Sequence, residues 1–228
     1  MNTKIWRSPT VDMLLAIIVL GSLWGLSEVV LSSAIRAAGL PFRAGILTGI
    51  GVGLLAVAVG AFHRPILLAL VPPITILCKQ LVVPILHVSV LCQANSCLAV
   101  LLEGLTVAGV VYLAGRRLER SRLAQAASGA SAALAAAVAF YLLGMWVAPC
   151  NYLLSFNSPA GFVRFMLAEG LVWAAFSAAF LPAGYAVGAR LRETVLAQTR
   201  KPWLYYATSA ALVAGSWAAS ALTIAAGL

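Results

Sequence analysis

Residues 92–117 read CQANSCLAVLLEGLTVAGVVYLAGRR. The stretch is long and apolar enough to cross a bilayer as one helix, which requires about 20 residues. One carboxylate, Glu103, lies in its middle. An ionised side chain near the bilayer centre costs about 2.5 to 3.5 kcal/mol on insertion scales, so such residues usually face a protein interior or a wet cavity. Glu103 is therefore the first candidate for a functional residue.

The composition indicates that the whole chain, and not only this stretch, lies in a membrane. Of the 228 residues, 63% are hydrophobic and 9% are charged, and the mean hydropathy is +1.01. This composition predicts an all-α, polytopic integral membrane bundle with a single transmembrane domain, residues 1–228. The net charge of +9 comes from basic residues in short clusters between apolar runs. That distribution is typical of topology signals and does not indicate a nucleic-acid partner.

Apolar windows of about 20 residues predict seven membrane-spanning helices. Six is the alternative, because prolines interrupt the third helix. The predicted bounds are Val11–Ala34, Ala44–Phe62, Pro65–Leu86, Cys97–Gly115, Ser128–Ala148, Phe162–Val187 and Tyr205–Gly227.

The connections between these helices predict the orientation. Lys and Arg are concentrated in alternate connections, and cytoplasmic loops hold that excess. The N-terminus is therefore predicted to be cytoplasmic and the C-terminus to be outside, in a bacterial inner membrane surrounded by lipid. Arg36 and Arg43 are then the only arginines of the first outer loop.

Four ionisable residues from four helices are predicted to share the outer half of the membrane. Glu103 is thirteen residues from Arg116, which places it roughly 20 Å above the inner surface at ~1.5 Å per residue. The same estimate places Glu28, Lys79 and Glu169 at similar heights or higher. Three interpretations are open: a Lys–Glu pair with two further carboxylates near water, a solute or ion site open to the outside, and a proton relay.

Further candidates surround these four residues. Asn95 and Asn157 precede the helices that carry Glu103 and Glu169, and amides at the mouth of a site can hydrogen-bond a small solute. Trp24 and Trp173 lie one turn from a glutamate and could stack on a ring or cation, or could only pack. The loop GLPFRAG, residues 39–45, is either a lid or a simple turn.

Gly45, Gly49 and Gly53 recur at a spacing of four on the second predicted helix. Such a face admits close helix packing. The contacting helix could belong to this chain or to a partner subunit.

Metal, disulfide and enzyme chemistry find little support in the sequence. His87, Cys92 and Cys97 do not follow a zinc-site spacing, and no metal or cofactor is predicted. Cys97 and Cys150 could pair in an oxidising periplasm or remain free thiols. No phosphate loop, nucleophile elbow or metalloprotease motif is present, and an enzyme is not predicted.

Two passages resemble the substrate-binding S component of energy-coupling factor (ECF) transporters. They are WGLSEVVLSSAIRAAGLPFRAGILTGIGVGL, residues 24–54, and NSCLAVLLEGL, residues 95–105. The resemblance implies capture of a micronutrient from outside, in a cavity closed by the loop between the first two helices. It also implies a separate T subunit and ATPases, for which Gly45, Gly49 and Gly53 are a candidate docking face. The seventh helix departs from that family, and so does the absence of the N-terminal His of its cobalt and nickel members.

The sequence therefore predicts a membrane protein that binds a small vitamin-like or cationic solute from the outer face for uptake. Glu28, Lys79, Glu103 and Glu169 would line the site. The alternatives are a non-transporting subunit that scaffolds or regulates a partner complex, and a proton-coupled secondary carrier.

Overall fold

The computed structural model describes residues 9–63, 65–198 and 202–227. Within these ranges the chain folds into helices without any strand, and seven helices are long and apolar enough to cross a membrane. The predicted all-α polytopic bundle is confirmed. The spans are α1 (Val11–Ala37), α2 (Arg43–Phe62), α3 (Leu68–Leu86), α4 (Val90–Ala114), α5 (Arg122–Val147), α6 (Gly161–Leu191) and α7 (Trp203–Ala225).

Two of the spans contain a π-helical turn. One such turn is Ser27–Leu31 in α1, and the other is Met166–Gly170 in α6. The α-helical parts around these turns are Pro9–Leu26 and Ser32–Ala37 in α1, and Gly161–Phe165 and Leu171–Gln198 in α6. One-turn helices at Arg117–Arg120 and Asn151–Leu154 lie in two of the connections.

The prolines of α3 break its regularity without preventing the span. The helix is assembled from a 3-10 segment, Pro65–Leu70, and two α-helical segments, Val71–Lys79 and Val82–Leu86. Pro72 and Pro73 lie in the first turn of Val71–Lys79, where backbone N–H groups have no intrahelical acceptor and proline is tolerated.

Two predicted helix starts were too late. The α4 span begins at Val90 instead of Cys97, and α5 begins at Arg122 instead of Ser128. Hydropathy windows end where polar residues begin, but the helix continues through them when its terminus is capped. Ser121 caps α5 in this way, since its Oγ accepts a hydrogen bond from the backbone N–H of Ala124 at 3.3 Å.

The glycine face of α2 packs against α6 of the same chain. A Cβ placed on Gly45 would lie 2.5 Å from Val172 Cγ1, and one on Gly49 would lie 2.9 Å from Phe176 Cβ. At Gly53 the nearest atoms, 3.4 Å away, belong to Phe180. Because α6 already covers this face, its assignment to a partner subunit is wrong, and small residues serve here to bring two helices of one bundle together.

Close backbone contact between α2 and α6 predicts a large effect at Gly184. A Cβ at that position would overlap the carbonyl oxygen of Gly53, which is backbone and has no freedom to rotate away. Gly184→Ala is therefore expected to destabilise the protein by about 1–3 kcal/mol, the usual cost of overpacking. The matched control is Gly109→Ala, since nothing lies within 4 Å of a Cβ there. Thermal unfolding in detergent should separate the two variants; equal melting temperatures would contradict the close contact.

The seventh span is part of the bundle. Trp217 Nε1 in α7 donates to Ser22 Oγ in α1 at 2.9 Å, and the Tyr205 hydroxyl donates to the carbonyl oxygen of Asp12 at 3.3 Å. Cys78 of α3 and Ser220 of α7 are also in hydrogen-bond contact at 3.5 Å. Polar contacts at three levels therefore hold α7 against α1 and α3.

Candidate functional site

A cavity of about 880 Å³ lies between the helices and contains the four ionisable residues that the sequence placed at similar height. Its lining includes Glu28, Lys79, Glu103 and Glu169, from α1, α3, α4 and α6 respectively. Ligand pockets in proteins commonly measure about 300–1,000 Å³. The cavity therefore has the size of a small-molecule site.

Glu103 is buried, with 5% of its surface exposed. Its Oε1 accepts a hydrogen bond from Thr48 Oγ1 at 2.8 Å, while its buried Oε2 has no hydrogen-bond partner among the described residues. A buried polar atom without a partner is costly, and native structures usually provide one. Since Glu103 lines the cavity, the missing donor can come from a bound molecule.

Lys79 and Glu28 neutralise each other at the cavity wall. Lys79 Nζ lies 2.5 Å from Glu28 Oε2, and the two side chains are 5% and 10% exposed. Lys79 also donates to Ser96 Oγ on α4. This arrangement satisfies the cation with two acceptors, so the buried pair is a fixed part of the wall.

Glu169 is held by two neutral donors. The Tyr152 hydroxyl donates to Glu169 Oε1, and Trp173 Nε1 donates to Oε2 at 3.2 Å. Partial burial and this bond to the carboxylate both raise the pKa of the Tyr152 phenol, so it stays protonated as a donor. Tyr152 lies outside the spans, in the one-turn helix Asn151–Leu154, and ties that connection to α6.

The two π-helical turns carry two of the cavity glutamates. Glu28 lies in the turn Ser27–Leu31 of α1, and Glu169 lies in the turn Met166–Gly170 of α6. Such turns insert one extra residue into a helix and occur frequently at functional sites. Here each turn coincides with a charged residue of the cavity wall.

An aromatic cluster forms another wall. Phe140, Phe165 and Trp173 line the cavity, and the rings of Phe140 and Trp173 have centroids 5.8 Å apart. The cluster presents an apolar surface between the polar groups, which suits a hydrocarbon or ring portion of a solute.

The junction of α1 and α2 contributes Phe42 to the same cavity, together with Arg36 at the end of α1 and Arg43 at the start of α2. All three are exposed, and neither arginine forms an ion pair in the described part of the chain. Phe42 has φ of 62°, in the left-handed region that bulky residues rarely adopt. Backbone strain of this kind often accompanies a functional role.

Not every residue predicted for the site reaches the cavity. Asn95 lines it, but its Nδ2 donates to the carbonyl oxygen of Ala148 at 2.9 Å and so also holds α4 to the end of α5. Trp24 is fully buried, with its ring against the backbone of Gly51, and does not line the cavity. Asn157 is exposed in the turn after Asn151–Leu154, away from the lining.

Several cavity residues were absent from the sequence prediction. Thr48, Ser96, Tyr152 and Phe140 are the clearest examples. Thr48 did carry a signal, because it is the one hydroxyl in the otherwise apolar run between Arg43 and Phe62. The other three became visible only when the helices were packed together.

The four cysteines are free thiols in this structure, including Cys97 and Cys150, whose pairing the sequence left open. Cys97 Sγ accepts from Gln80 Nε2 at 3.4 Å, and Cys150 Sγ accepts from the backbone N–H of Leu153 at 3.5 Å. No cluster of three metal-ligating side chains occurs among the described residues.

The fold and the cavity were also compared with known proteins. No family model, no curated protein and no solved structure matches this chain.

Proposed function

We propose that this protein captures a small polar solute in the cavity between its helices and takes part in the uptake of that solute across a bacterial inner membrane. The observation that carries the proposal is Glu103, a residue of the cavity lining whose buried Oε2 has no partner among the described residues. A carboxylate kept in an apolar helix at this cost is best explained by a ligand that completes its hydrogen bonds.

The charge pattern of the loops supports a cavity that opens to the outside. With the N-terminus in the cytoplasm, the loop of Arg36, Phe42 and Arg43 lies on the outer face. Solute would then enter beside this loop.

Resemblance to ECF S components supports an energising module built from a T subunit and ATPases. Since α6 of this chain covers Gly45, Gly49 and Gly53, such a module would dock on a different surface. A scaffolding or regulatory subunit is the competing function, and it would show partner binding without any response to solutes.

Proton-coupled transport is a second candidate, and one observation favours it. A buried carboxylate with one unpartnered oxygen, as in Glu103, can bind a proton at that oxygen instead of accepting a hydrogen bond from a solute. Uptake that collapses with an uncoupler but survives depletion of ATP would favour this mechanism over an ATP-driven module.

Thermal unfolding of the purified protein tests solute capture. Amino acids, polyamines, vitamins, nucleosides and the low-molecular-weight fraction of a bacterial lysate would be added separately. A ligand at 100 times its Kd stabilises the folded state by about 2.7 kcal/mol, so at least one addition should raise the melting temperature by several degrees. The exposed carboxylate of Glu119 provides a control, because Glu119→Gln should respond like the wild type. No response to the panel or to the lysate fraction would contradict solute capture.

The strained loop residue predicts a separable effect. Replacing Phe42 with Gly removes the cost of the left-handed backbone, about 1–3 kcal/mol, and also removes a ring from the cavity mouth. We expect Phe42→Gly to raise the melting temperature of the unliganded protein and to speed the dissociation of a bound solute. Leu40→Gly, in the same loop, relieves no such strain and should not raise the melting temperature. A less stable Phe42→Gly protein would contradict this account of the loop.

A further inference from the structure

The cavity lining contains three carboxylates and three cationic side chains. They are Glu28, Glu103, Glu169, Lys79, Arg36 and Arg43. Glu28 and Lys79 pair with each other, and Glu169 receives hydrogen bonds from Tyr152 and Trp173. Two features are left for a bound molecule: the unpartnered Glu103 Oε2 at the buried end, and two arginines at the exposed end that lack an ion-pair partner within the described ranges.

The hydrogen bond from Thr48 gives the spacing of these two ends along the axis of α2. It places Glu103 beside Thr48 on α2, because Thr48 Oγ1 and Glu103 Oε1 are 2.8 Å apart. Arg43 precedes Thr48 by five residues on the same helix, which at ~1.5 Å per residue is ~7.5 Å along its axis. Along the axis of α2, the position beside Glu103 and the backbone of Arg43 are therefore about one and a half helical turns apart.

The space between the ends is partly apolar. Phe140, Phe165 and Trp173 contribute ring surfaces to the lining, and Leu47 and Val172 contribute aliphatic ones. A chain of methylene groups or a ring can occupy this section without leaving polar groups unsatisfied.

We propose that the solute is an extended zwitterion whose protonated amine donates to Glu103 Oε2 and whose carboxylate binds Arg43 and Arg36 at the rim. The proposal rests on the solute-binding function proposed above. A solute with only a positive charge would meet the two arginines on entry, and one with only a negative charge would meet the unpaired carboxylate of Glu103. A molecule with opposite charges at its two ends satisfies both, and guanidinium groups bind carboxylates with particular geometric fit.

Calorimetric titration of the purified full-length chain with defined probes tests this solute class. The probes are 4-aminobutyrate, 6-aminohexanoate and 8-aminooctanoate, with hexanoate and hexylamine as single-charge controls. We expect 6-aminohexanoate or 8-aminooctanoate to bind at least about tenfold more tightly than 4-aminobutyrate, because the charges must span the distance from Glu103 to the rim. Each single-charge control should bind at least about tenfold more weakly than 6-aminohexanoate, since each leaves one end of the cavity unpaired.

Variants at the two ends provide the second readout. Glu103→Gln and Arg43→Gln should each lower the affinity for 6-aminohexanoate at least about tenfold. Glu119→Gln should leave that affinity unchanged. Because Arg43 is exposed, its variant is expected to retain the fold, so the test stays valid if the Glu103 variant is unstable. Arg43→Gln should also reduce the preference for 6-aminohexanoate over hexylamine.

Three outcomes would overturn the zwitterion. They are equal binding of hexylamine and 6-aminohexanoate, tighter binding of hexanoate than of 6-aminohexanoate, and no binding of any amino acid probe. If the lysate fraction still raises the melting temperature while all amino acid probes fail, solute capture stands and only the proposed class is wrong. Failure of both experiments removes both proposals.

Discussion

Replacing Glu103 with Gln is expected to weaken the binding of a stabilising solute by about 100-fold. Removing one partner of a buried, hydrogen-bonded charge pair costs about 2–5 kcal/mol, and 1.4 kcal/mol corresponds to a factor of ten. The amide has nearly the same shape and can still accept the hydrogen bond from Thr48. The loss therefore reports on the hydrogen-bond acceptor at Oε2 and not on the packing around it.

The unliganded Glu103→Gln protein should be at least as stable as the wild type. The substitution replaces an ionisable carboxylate, one oxygen of which has no partner among the described residues, with a neutral amide, whose burial costs less. Calorimetric titration with the stabilising solute and thermal unfolding without it measure the two effects separately, with Glu119→Gln as the control. An unchanged affinity would remove Glu103 from the site, and a large loss of stability would show that its role is structural.

Replacing Lys79 with Met is expected to lower the free energy of unfolding by about 3–5 kcal/mol. The substitution leaves Glu28 as an uncompensated carboxylate in a nearly buried position, and breaking a buried pair from one side has this cost. Ser96 would also lose the donor that it shares with Glu28.

A double replacement distinguishes the ion pair from simple loss of packing. Lys79→Met combined with Glu28→Gln removes both charges and should recover most of the lost stability, because neither partner is left unpaired. The partly exposed pair of His63 and Glu119, with 3.8 Å between Nε2 and Oε1, is the matched comparison. Its disruption by Glu119→Gln should cost less than about 1 kcal/mol. A Lys79→Met protein as stable as the wild type, or a double variant no better than the single one, would contradict the buried pair.

The prediction of seven spans, with six as the alternative, followed from hydropathy. Runs of about 20 apolar residues have few alternatives in a bilayer, where every backbone group must be satisfied within the helix. Pro72, Pro73 and Pro84 obscured α3, and the structure shows that they lie early in short helical segments. Cytoplasmic placement of the N-terminus stays a prediction.

The convergence of the four ionisable residues could also be predicted, but the direction of their neighbours could not. A constant rise per residue placed Glu28, Lys79, Glu103 and Glu169 at similar levels, and all four line one cavity. Trp24, one turn before Glu28, could stack on a solute or only pack, and in the structure it is fully buried and only packs. The π-helical turn begins at Ser27, between the two residues, and a wider turn changes their angular relation. Hydrophobic patterning contains no signal for such a turn.

The glycines of α2 predicted close helix packing but not the identity of the helix. A spacing of four small residues indicates only that another backbone can approach. Gly184 and Gly188 on α6 provide the matching face, and a Cβ on either would overlap the backbone of α2. Pairing the two faces requires knowledge of how the helices are arranged around the cavity, which the local sequence does not contain.

The most direct test is an experimental structure of the protein determined with a stabilising solute present. The account predicts density for the solute in the cavity, with a donor nitrogen about 2.7–3.2 Å from Glu103 Oε2. Solute density elsewhere on the protein, or an empty cavity with Glu103 Oε2 bonded to another residue of the chain, would contradict it.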